Sequence, residues 1–445
     1  MSDDVPPQPG TGLFTDRYEL SMVGAALRSG RAHDHCVFEV FCRHLPLGRR
    51  YGVVAGTERV LDAITSFSFT PDDLAWLERE GAANEATLEF LRTYRFRGAV
   101  EGYPEGEVFF PNSPILSVRG TFAECVVLET LVLSVLNHDC AVAAAAARMV
   151  TAADGRPLIE MGSRRTNESA ALAAARAAYV AGFSSTSNLA AGRRYGIPTA
   201  GTAAHASILL YPDERAAFAA QVAALGPTTT LLVDTYDIGR GIETAVEVAG
   251  PSLAAIRIDS GDLGVLARRA REQLDALGNT GTRIVLSGDL DEFTIAALAA
   301  APVDAYGVGT AVTMGSGAPT AALVYKLVEV EGRPVSKRSD RKATHGGAKT
   351  AYRAYRNSGT ATDEVVVVGA PDVEAVRRGG EFDVLRPVSA ALMVDGVRTP
   401  VGAAAVEVAR QRVADSLRTL PWEGLSLSRG EPVLPTTMVA ATGLG

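Results

Sequence analysis

Cysteine is scarce in this chain, four in 445 residues, and the four are not spaced for shared chemistry. Cys36, Cys42, Cys125 and Cys140 form no C-x-x-C pair and no zinc-ligand spacing, which excludes a disulfide framework or a cysteine-built metal centre. Positive charge is also short. Lys and Arg number 43 against 51 Asp and Glu, a formal net charge of −8. No global basic field would draw such a chain to nucleic acid or to an anionic membrane. Any anionic ligand must instead be held by local arginines and backbone amides. Missing too is an unbroken apolar run long enough to cross a bilayer. The most apolar stretch, "CVVLETLVLSVLNHDCAVAAAAA", is interrupted by Glu129 and by Asn137, His138 and Asp139. The opening "MSDDVPPQPG" is acidic and proline-rich, opposite in character to a secretory signal. The expectation is a soluble, cytoplasmic protein with no nucleic-acid and no membrane partner.

What the chain does have is core. Hydrophobic residues make up 47% of it, enough for two domains or one large barrel with additions. From about 156 to 315, short apolar runs alternate with alanine-rich helical stretches. The runs are "PLIEMGSRR", "AGFSSTSN", "IPTAGTAAH", "TLLVDTYD", "LAAIRIDSGD", "RIVLSGDLD" and "AYGVGTAV". In one intervening stretch Leu263, Leu266, Ala267, Ala270, Leu274 and Leu277 share a helical face. Strand–helix alternation with continuously apolar strands predicts a parallel sheet covered by helices, and about seven repeats predict closure into a barrel. Nearly every run ends in polar residues: Arg164 and Arg165, Ser185 and Ser187, Thr202 and His205, Asp234 and Asp237, Asp259 and Asp262, Ser287 and Asp289, Thr310. Active sites of such barrels lie at the C-terminal strand ends, so seven strands delivering polar groups to one rim predict a site there.

The flanks read differently. Around "VEGYPEGEVFFPNSPILSVRG" short extended runs are punctuated by Gly and Pro, which predicts β-structure. A helical pattern from about 122 to 152 would lead into the barrel. After 350, "DEVVVVG", "FDVLRPVS" and "ALMVDGVRT" are strand candidates that would pair with the N-terminal β-region. The domain reading is therefore an N-terminal β-rich module with its leading helix over 1–135, a catalytic α/β barrel over 136–350, and a C-terminal segment over 351–445 returning to the module.

Each motif has a plain structural alternative. "YGVGTAVTMGSG" lets backbone amides approach a phosphate, and is equally a turn and nothing more. In "RIDSGDL", Arg257 and Asp259 share a strand face, while Asp262 reads as a helix cap or a site residue. An arginine inside an apolar strand needs a partner, an anionic ligand or a carboxylate such as Asp234. Arg164 and Arg165 at a strand end suit carboxylate or phosphate oxygens; a single such arginine would be an ordinary surface residue. The basic run "KRSDRKATHGGAK", residues 337–349, reads as a solvated loop. His205, in "GTAAHASILL", reads alone as a satisfied buried histidine, and only its rim neighbours favour chemistry.

Taken together these stretches resemble the nicotinate phosphoribosyltransferase family. The resemblance runs from "TDRYELSM" and "FEVFCRHLP" through "EGEVFFPNSPIL" and "MGSRRTNESAALAAARAAYVAGFSSTSN" to "GTAAH", "LVDTYD", "RIDSGDL", "SGDLDE", "GVGTAV" and "YKLVEV". It implies the type II phosphoribosyltransferase fold, an irregular TIM-like (β/α) barrel joined to a β-rich module built from both chain ends. The implied reaction is nicotinate plus phosphoribosyl pyrophosphate giving nicotinate mononucleotide and pyrophosphate, a salvage step of NAD biosynthesis. The implied enzyme is of the ATP-dependent ligase class, with Mg²⁺ as cofactor, ATP hydrolysis coupled through a phosphohistidine, and a homodimer with shared active sites.

The resemblance also implies residue roles. His205 occupies the position of the phosphorylated histidine in "GT-x-x-H". Tyr18 would reach a partner's site and stack on the pyridine ring, with Thr202 and Arg257 orienting nicotinate. Arg164 and Arg165 would hold donor oxygens. Asp234 and Asp259 would position ribose, arginines or Mg²⁺, with Ser287 and Asp289 also at the substrate. Gly309 and Thr310 would take the 5-phosphate. Two positions depart from the family. Met161 stands where relatives often carry an aromatic residue, and after Lys337, Ser339, Lys342 and Thr344 the usual Pro-Gly is His345-Gly346. The nicotinamide-using relatives carry an acid after Gly-Thr where this chain has Ala203, which favours the acid substrate. A lyase of the Schiff-base type would want a strand-end lysine, which is lacking, and a regulator that binds phosphoribosyl pyrophosphate without turnover is the remaining alternative.

Overall fold

In the computed structural model the alternation in the middle of the chain becomes one six-stranded, all-parallel sheet. The structure describes residues 11–337, 345–369, 373–380, 382–400, 402 and 404–440. They fall into two compact units, Ala141–Pro319 on one hand, and residues up to Cys140 together with those from Thr320 onward on the other.

In the first unit the strands are Leu158–Glu160, Ser185–Thr186, Thr230–Leu232, Ala255–Ile258, Arg283–Leu286 and Ala305–Val308. Across the sheet they run 185–186, 158–160, 305–308, 283–286, 255–258, 230–232. Ala255–Ile258 is buried along its whole length, as an interior strand covered on both faces must be. The helix Leu263–Ala276 turns Ala267, Ala270 and Leu274 inward, and Leu277, just past its end, is left exposed.

The expected TIM-like closure is not found. The order is that of an opened barrel, a curled half-barrel whose edge strands Ser185–Thr186 and Thr230–Leu232 do not pair with each other among the described residues. The third of the seven runs, "IPTAGTAAH", contributes only the bridge Thr186–Thr199, with Thr186 N donating to Pro198 O at 3.0 Å and Ala200 N to Thr186 O at 2.9 Å. The reason is local. Pro198 has no N–H for a ladder, and Gly201, Thr202, Ala203 and Ala204 offer no bulky apolar side chain to bury as a strand face. The chain leaves the sheet there and starts a helix at His205.

The second unit is β-rich and draws on both chain ends. Its seven-stranded sheet runs Arg333–Pro334, Leu323–Val330, His35–Cys42, Leu116–Thr121, Ala99–Gly102, Ala390–Val394, Val397–Arg398. A four-stranded sheet runs Val384–Pro387, Lys349–Tyr355, Ala361–Val368, Thr436–Ala440. A buried polar network ties the early and late segments together. The guanidinium of Arg353, wholly buried, donates to Glu107 Oε1 at 2.7 Å, Val108 O at 2.7 Å and Glu364 Oε2 at 2.9 Å. Tyr103 and Ser113 donate to the other oxygen of Glu364. Arg386 and Ser416 complete the shell of Glu107, whose carboxyl lies below the ordinary range because these cations outweigh its burial. Every charge in the network is paired, as burial requires.

All four cysteines are buried and free. Among the described residues one helical stretch, Phe122–Ala153, is long and apolar enough to cross a membrane, and 61% of its apolar window is buried inside the protein.

Candidate active site

The C-terminal ends of four of the parallel strands, 158–160, 185–186, 230–232 and 255–258, and the stretch 201–205 line an open cavity of about 340 Å³, within the size range of small-ligand sites. Met161, Ser163, Arg164, Thr202, His205, Arg257 and Asp259 are among its lining residues. A cavity of about 390 Å³ in the β-rich unit is lined by Glu107, Arg386 and Arg412, groups already bonded to other protein atoms.

Arg257 is the centre of the site. Its strand is apolar on both sides, yet the guanidinium is held by four acceptors: Nε donates to Ser287 Oγ at 2.7 Å, Nη1 to Thr202 Oγ1 at 3.1 Å and Ala203 O at 3.3 Å, and Nη2 to Asp259 Oδ1 at 2.7 Å. The bonds to Thr202 and Ala203 cross the seam where the sheet fails to close, so side chains supply there what backbone pairing does not. Ser287 Oγ also donates to Asp259 Oδ1 at 2.5 Å. Burial pushes the Asp259 carboxyl up, and Ser287, Arg257 and then His205 more than offset it, so the group lies below the ordinary aspartate range. Gly288 makes the arrangement possible. It has φ +103°, and a Cβ there would lie 2.1 Å from the carbonyl oxygen of Asp259, so only glycine lets the two strand ends approach this closely.

His205 opens the short helix His205–Leu209. Its side chain is 41% exposed, which removes the reading of a satisfied core histidine. Nδ1 lies 3.1 Å from Thr235 Oγ1, and Nε2 lies 4.0 Å from Asp234 Oδ1. The Asp234 side chain is only 1% exposed. Its Oδ2 accepts from Asp259 N at 2.9 Å and from Ser260 Oγ at 2.8 Å, while Oδ1 is buried with no hydrogen-bond partner among the described residues. A buried carboxylate oxygen left unpaired is costly, and this one faces the imidazole. Nearby, burial and then Asp237, against Arg240, push the Glu214 carboxyl up to about 6.

The remaining expected residues divide. Arg164 lines the cavity, whereas Arg165 is exposed beside it. Ser287 is buried behind Arg257. Asp289 is exposed, at φ +47°. Gly309 and Thr310 follow the strand Ala305–Val308 and start the turn Thr310–Thr313. Asp237 and Asp262 cap helices, accepting from Arg240 N at 2.9 Å and Val265 N at 3.2 Å, and Asn167 does likewise for Ser169. Tyr18 belongs to the other unit, on the helix Arg17–Arg28, where its ring is half exposed. Ser339, Lys342 and Thr344 lie outside the described residues. Sequence reasoning missed Thr235, Ser260 and Glu160. The first two stand directly after Asp234 and Asp259, where a hydroxyl can bond a neighbouring strand's side chain, and that adjacency was the available signal.

Two carboxylates, Asp234 with one orphaned oxygen and Asp259, suit a Mg²⁺ held jointly with phosphate oxygens, the usual manner for this ion. No group of three or more His, Cys, Asp or Glu that could cage a metal exists among the described residues.

Comparisons with known proteins point the same way. Residues 13–137 match the model of the nicotinate phosphoribosyltransferase N-terminal domain, and residues 142–317 that of the quinolinate phosphoribosyl transferase C-terminal domain. The chain is 58% identical to the nicotinate phosphoribosyltransferase pncB1 of Mycobacterium tuberculosis, over 98% of this chain and 96% of that protein. It is 38% identical to the nicotinate phosphoribosyltransferase of Bacillus subtilis, over 78% of this chain and 74% of that protein. The crystal structure of human nicotinic acid phosphoribosyltransferase is similar with a TM-score of 0.79 at 26% identity, over 97% of this chain and 98% of that one. That of nicotinate-nucleotide pyrophosphorylase from Pyrococcus furiosus gives 0.77 at 25% identity, over 92% and 95%.

Proposed function

The chain belongs to the nicotinate phosphoribosyltransferase family, and on that premise we propose how its strand-end rim carries out the reaction. The activity is nicotinate phosphoribosyl transfer in NAD biosynthesis. The pyridine nitrogen of nicotinate forms a bond to C1 of phosphoribosyl pyrophosphate, and the bond from C1 to the pyrophosphate oxygen breaks. The observation that carries the reading is Arg257, a guanidinium fixed at the cavity wall by Ser287, Thr202 and Asp259.

One Nη2 N–H of Arg257 has no partner among the described residues, and it is the donor for the nicotinate carboxylate, with the Thr202 hydroxyl beside it. Ala203 has no side-chain acceptor and its carbonyl is already engaged by Arg257, so position 203 offers an amide NH₂ no acceptor of the kind an acidic residue there would supply. Met161 bounds the ring on one side by its thioether. Arg164 and Arg165 hold the pyrophosphate, whose departure with two electrons is the main electrostatic task. Gly309 and Thr310 take the 5-phosphate through backbone and hydroxyl donors. Asp234 and Asp259 face the ribose hydroxyls, with Ser287 and Asp289 at the same strand ends. Mg²⁺ held by Asp234 and Asp259 would neutralise charge on the leaving pyrophosphate. With nicotinate, phosphoribosyl pyrophosphate and Mg²⁺, pyrophosphate release is expected, and with nicotinamide in place of nicotinate almost none. Equal release with the amide would overturn the assignment of Arg257 and Ala203.

His205 is the acceptor of the ATP γ-phosphoryl group. Thr235 fixes the ring at Nδ1. Nε2 forms the bond to the γ-phosphorus as the bond from that phosphorus to the β,γ-bridging oxygen breaks and ADP leaves with the electron pair, the Asp234 carboxylate facing the positive charge that builds on the ring. The functional unit is a homodimer. Leu189, Leu209, Leu210, Tyr211 and Tyr236 are exposed apolar side chains following the same strand ends, a surface that suits coverage by a second subunit, and Tyr18 of that subunit stacks on the pyridine ring. Mixing Tyr18→Ala and His205→Ala protomers should restore ATP-stimulated turnover, because one heterodimer site keeps both side chains. A mixture that shows no such turnover after verified subunit exchange removes the shared site.

A further inference from the structure

Glu160 ends the strand Leu158–Glu160 directly before the turn that carries the arginine pair. It is fully buried, and no cation among the described residues pairs with it. Burial pushes its carboxyl up, with Thr186 and Gly162 opposing. A buried acid without a counter-charge is expensive to keep, and both its oxygens are spent on positioning. Oε1 accepts from Gly162 N at 2.5 Å, and Oε2 accepts from Thr186 Oγ1 at 2.5 Å.

The two bonds lead to the two turns nearest the donor's anionic groups. Thr186 Oγ1 accepts from Asn188 N at 3.0 Å, and Asn188 Nδ2 donates to Ser163 Oγ at 3.1 Å, beside Arg164 at the cavity wall. On the other side Gly162 is wedged. A Cβ there would lie 2.2 Å from Thr313 Cγ2, 2.9 Å from Glu160 Oε1 and 2.9 Å from the carbonyl oxygen of Gly309. Met161 N donates to Val308 O at 2.7 Å, so the arginine turn and the Gly-rich turn are registered against each other.

We propose that Glu160 is a positioning residue for phosphoribosyl pyrophosphate, fixing the Gly162–Arg164 turn against the Gly309–Thr310 turn so that pyrophosphate and 5-phosphate are held at a set separation. This rests on the roles proposed above for those turns. Nicotinate, held by Arg257 and Thr202, makes no demand on it. Glu160→Ala should raise the KM for phosphoribosyl pyrophosphate by about tenfold or more while the nicotinate KM changes by less than about threefold. Glu160→Gln keeps an acceptor for Gly162 N and retains the link to Thr186 with its direction reversed, Nε2 donating where the carboxylate accepted, and should recover most of the loss. Thr186→Val, which removes the hydroxyl's bonds to Glu160 Oε2 and from Asn188 N at constant shape, should fall between the two.

A purely structural role predicts something else: lower thermal stability and less active protein, with both KM values unmoved or moved together, and that result in any folded variant overturns the proposal. Failure of Gln to recover the KM also overturns it. If the wild-type protein neither binds phosphoribosyl pyrophosphate nor releases pyrophosphate from it, the functional reading itself fails, and that arm is separate from the variants.

Discussion

Arg257→Ala is expected to raise the KM for nicotinate about ten- to a hundredfold, because a charge-assisted hydrogen bond to a carboxylate is worth about 1.5–3 kcal/mol. The cost does not stop at the ligand. Arg257 is the only cation bonded to Asp259 among the described residues, and it also holds Thr202 and the Ala203 carbonyl across the open seam of the sheet. Its removal therefore loosens the stretch leading to His205. Arg257→Lys should recover little, since a single ammonium cannot span Ser287, Thr202 and Asp259 at once.

The pH dependence follows from the same contacts. Asp259 has a lowered folded-state pKa, so the stability it contributes is present above the ordinary aspartate range and lost as pH falls through the folded value. Without Arg257 that value rises, and the acidic limb of the activity profile should move to higher pH. Steady-state kinetics at saturating phosphoribosyl pyrophosphate over a pH series measure both effects. A folded variant with unchanged nicotinate KM and an unmoved acidic limb would take Arg257 out of the site.

The parallel strands were legible because strands covered on both faces must be apolar along their length, and "AAIRI" is so except for Arg257, "RIVL" except for Arg283 at its exposed start. Arg257 stood out for that reason. Closure was not legible. Whether a seventh strand completes a barrel depends on a few residues around Pro198–Ala204, and rhythm alone counted that run as equal to the others. Polar residues at the strand ends were legible as a class but not in their division of labour. Asp237 and Asp262 occupy the position where a helix begins and serve as its cap, whereas Asp234 and Asp259, three residues earlier in each case, point to the site. Thr235, Ser260 and Glu160 escaped notice because a single hydroxyl or carboxyl has no signature until the fold supplies its partner. The same holds for Arg353, whose partners Glu107 and Glu364 come from opposite ends of the chain.

The central proposal, that His205 carries a phosphoryl group coupling ATP to synthesis, predicts two separable jobs at one rim. In this proposal ring binding and pyrophosphate departure fall to Arg257, the arginine pair and the Gly-rich turn, none of which bonds His205. A phosphorylated His205 would place a dianion beside the buried Asp234 and bias the site toward a tighter-binding form. A coupling of about 1–3 kcal/mol lowers the apparent substrate KM by about five- to 150-fold. The direct measurement is to incubate wild-type and His205→Ala protein with γ-labelled ATP, nicotinate, phosphoribosyl pyrophosphate and Mg²⁺, following protein-bound label, ATP hydrolysis and nicotinate mononucleotide together. The wild-type protein should carry an acid-labile label, hydrolyse ATP and show the ATP-driven fall in KM. His205→Ala should lose all three and retain a slow, ATP-independent synthesis. A well-folded His205→Ala protein that is still labelled and still stimulated by ATP would contradict the assignment.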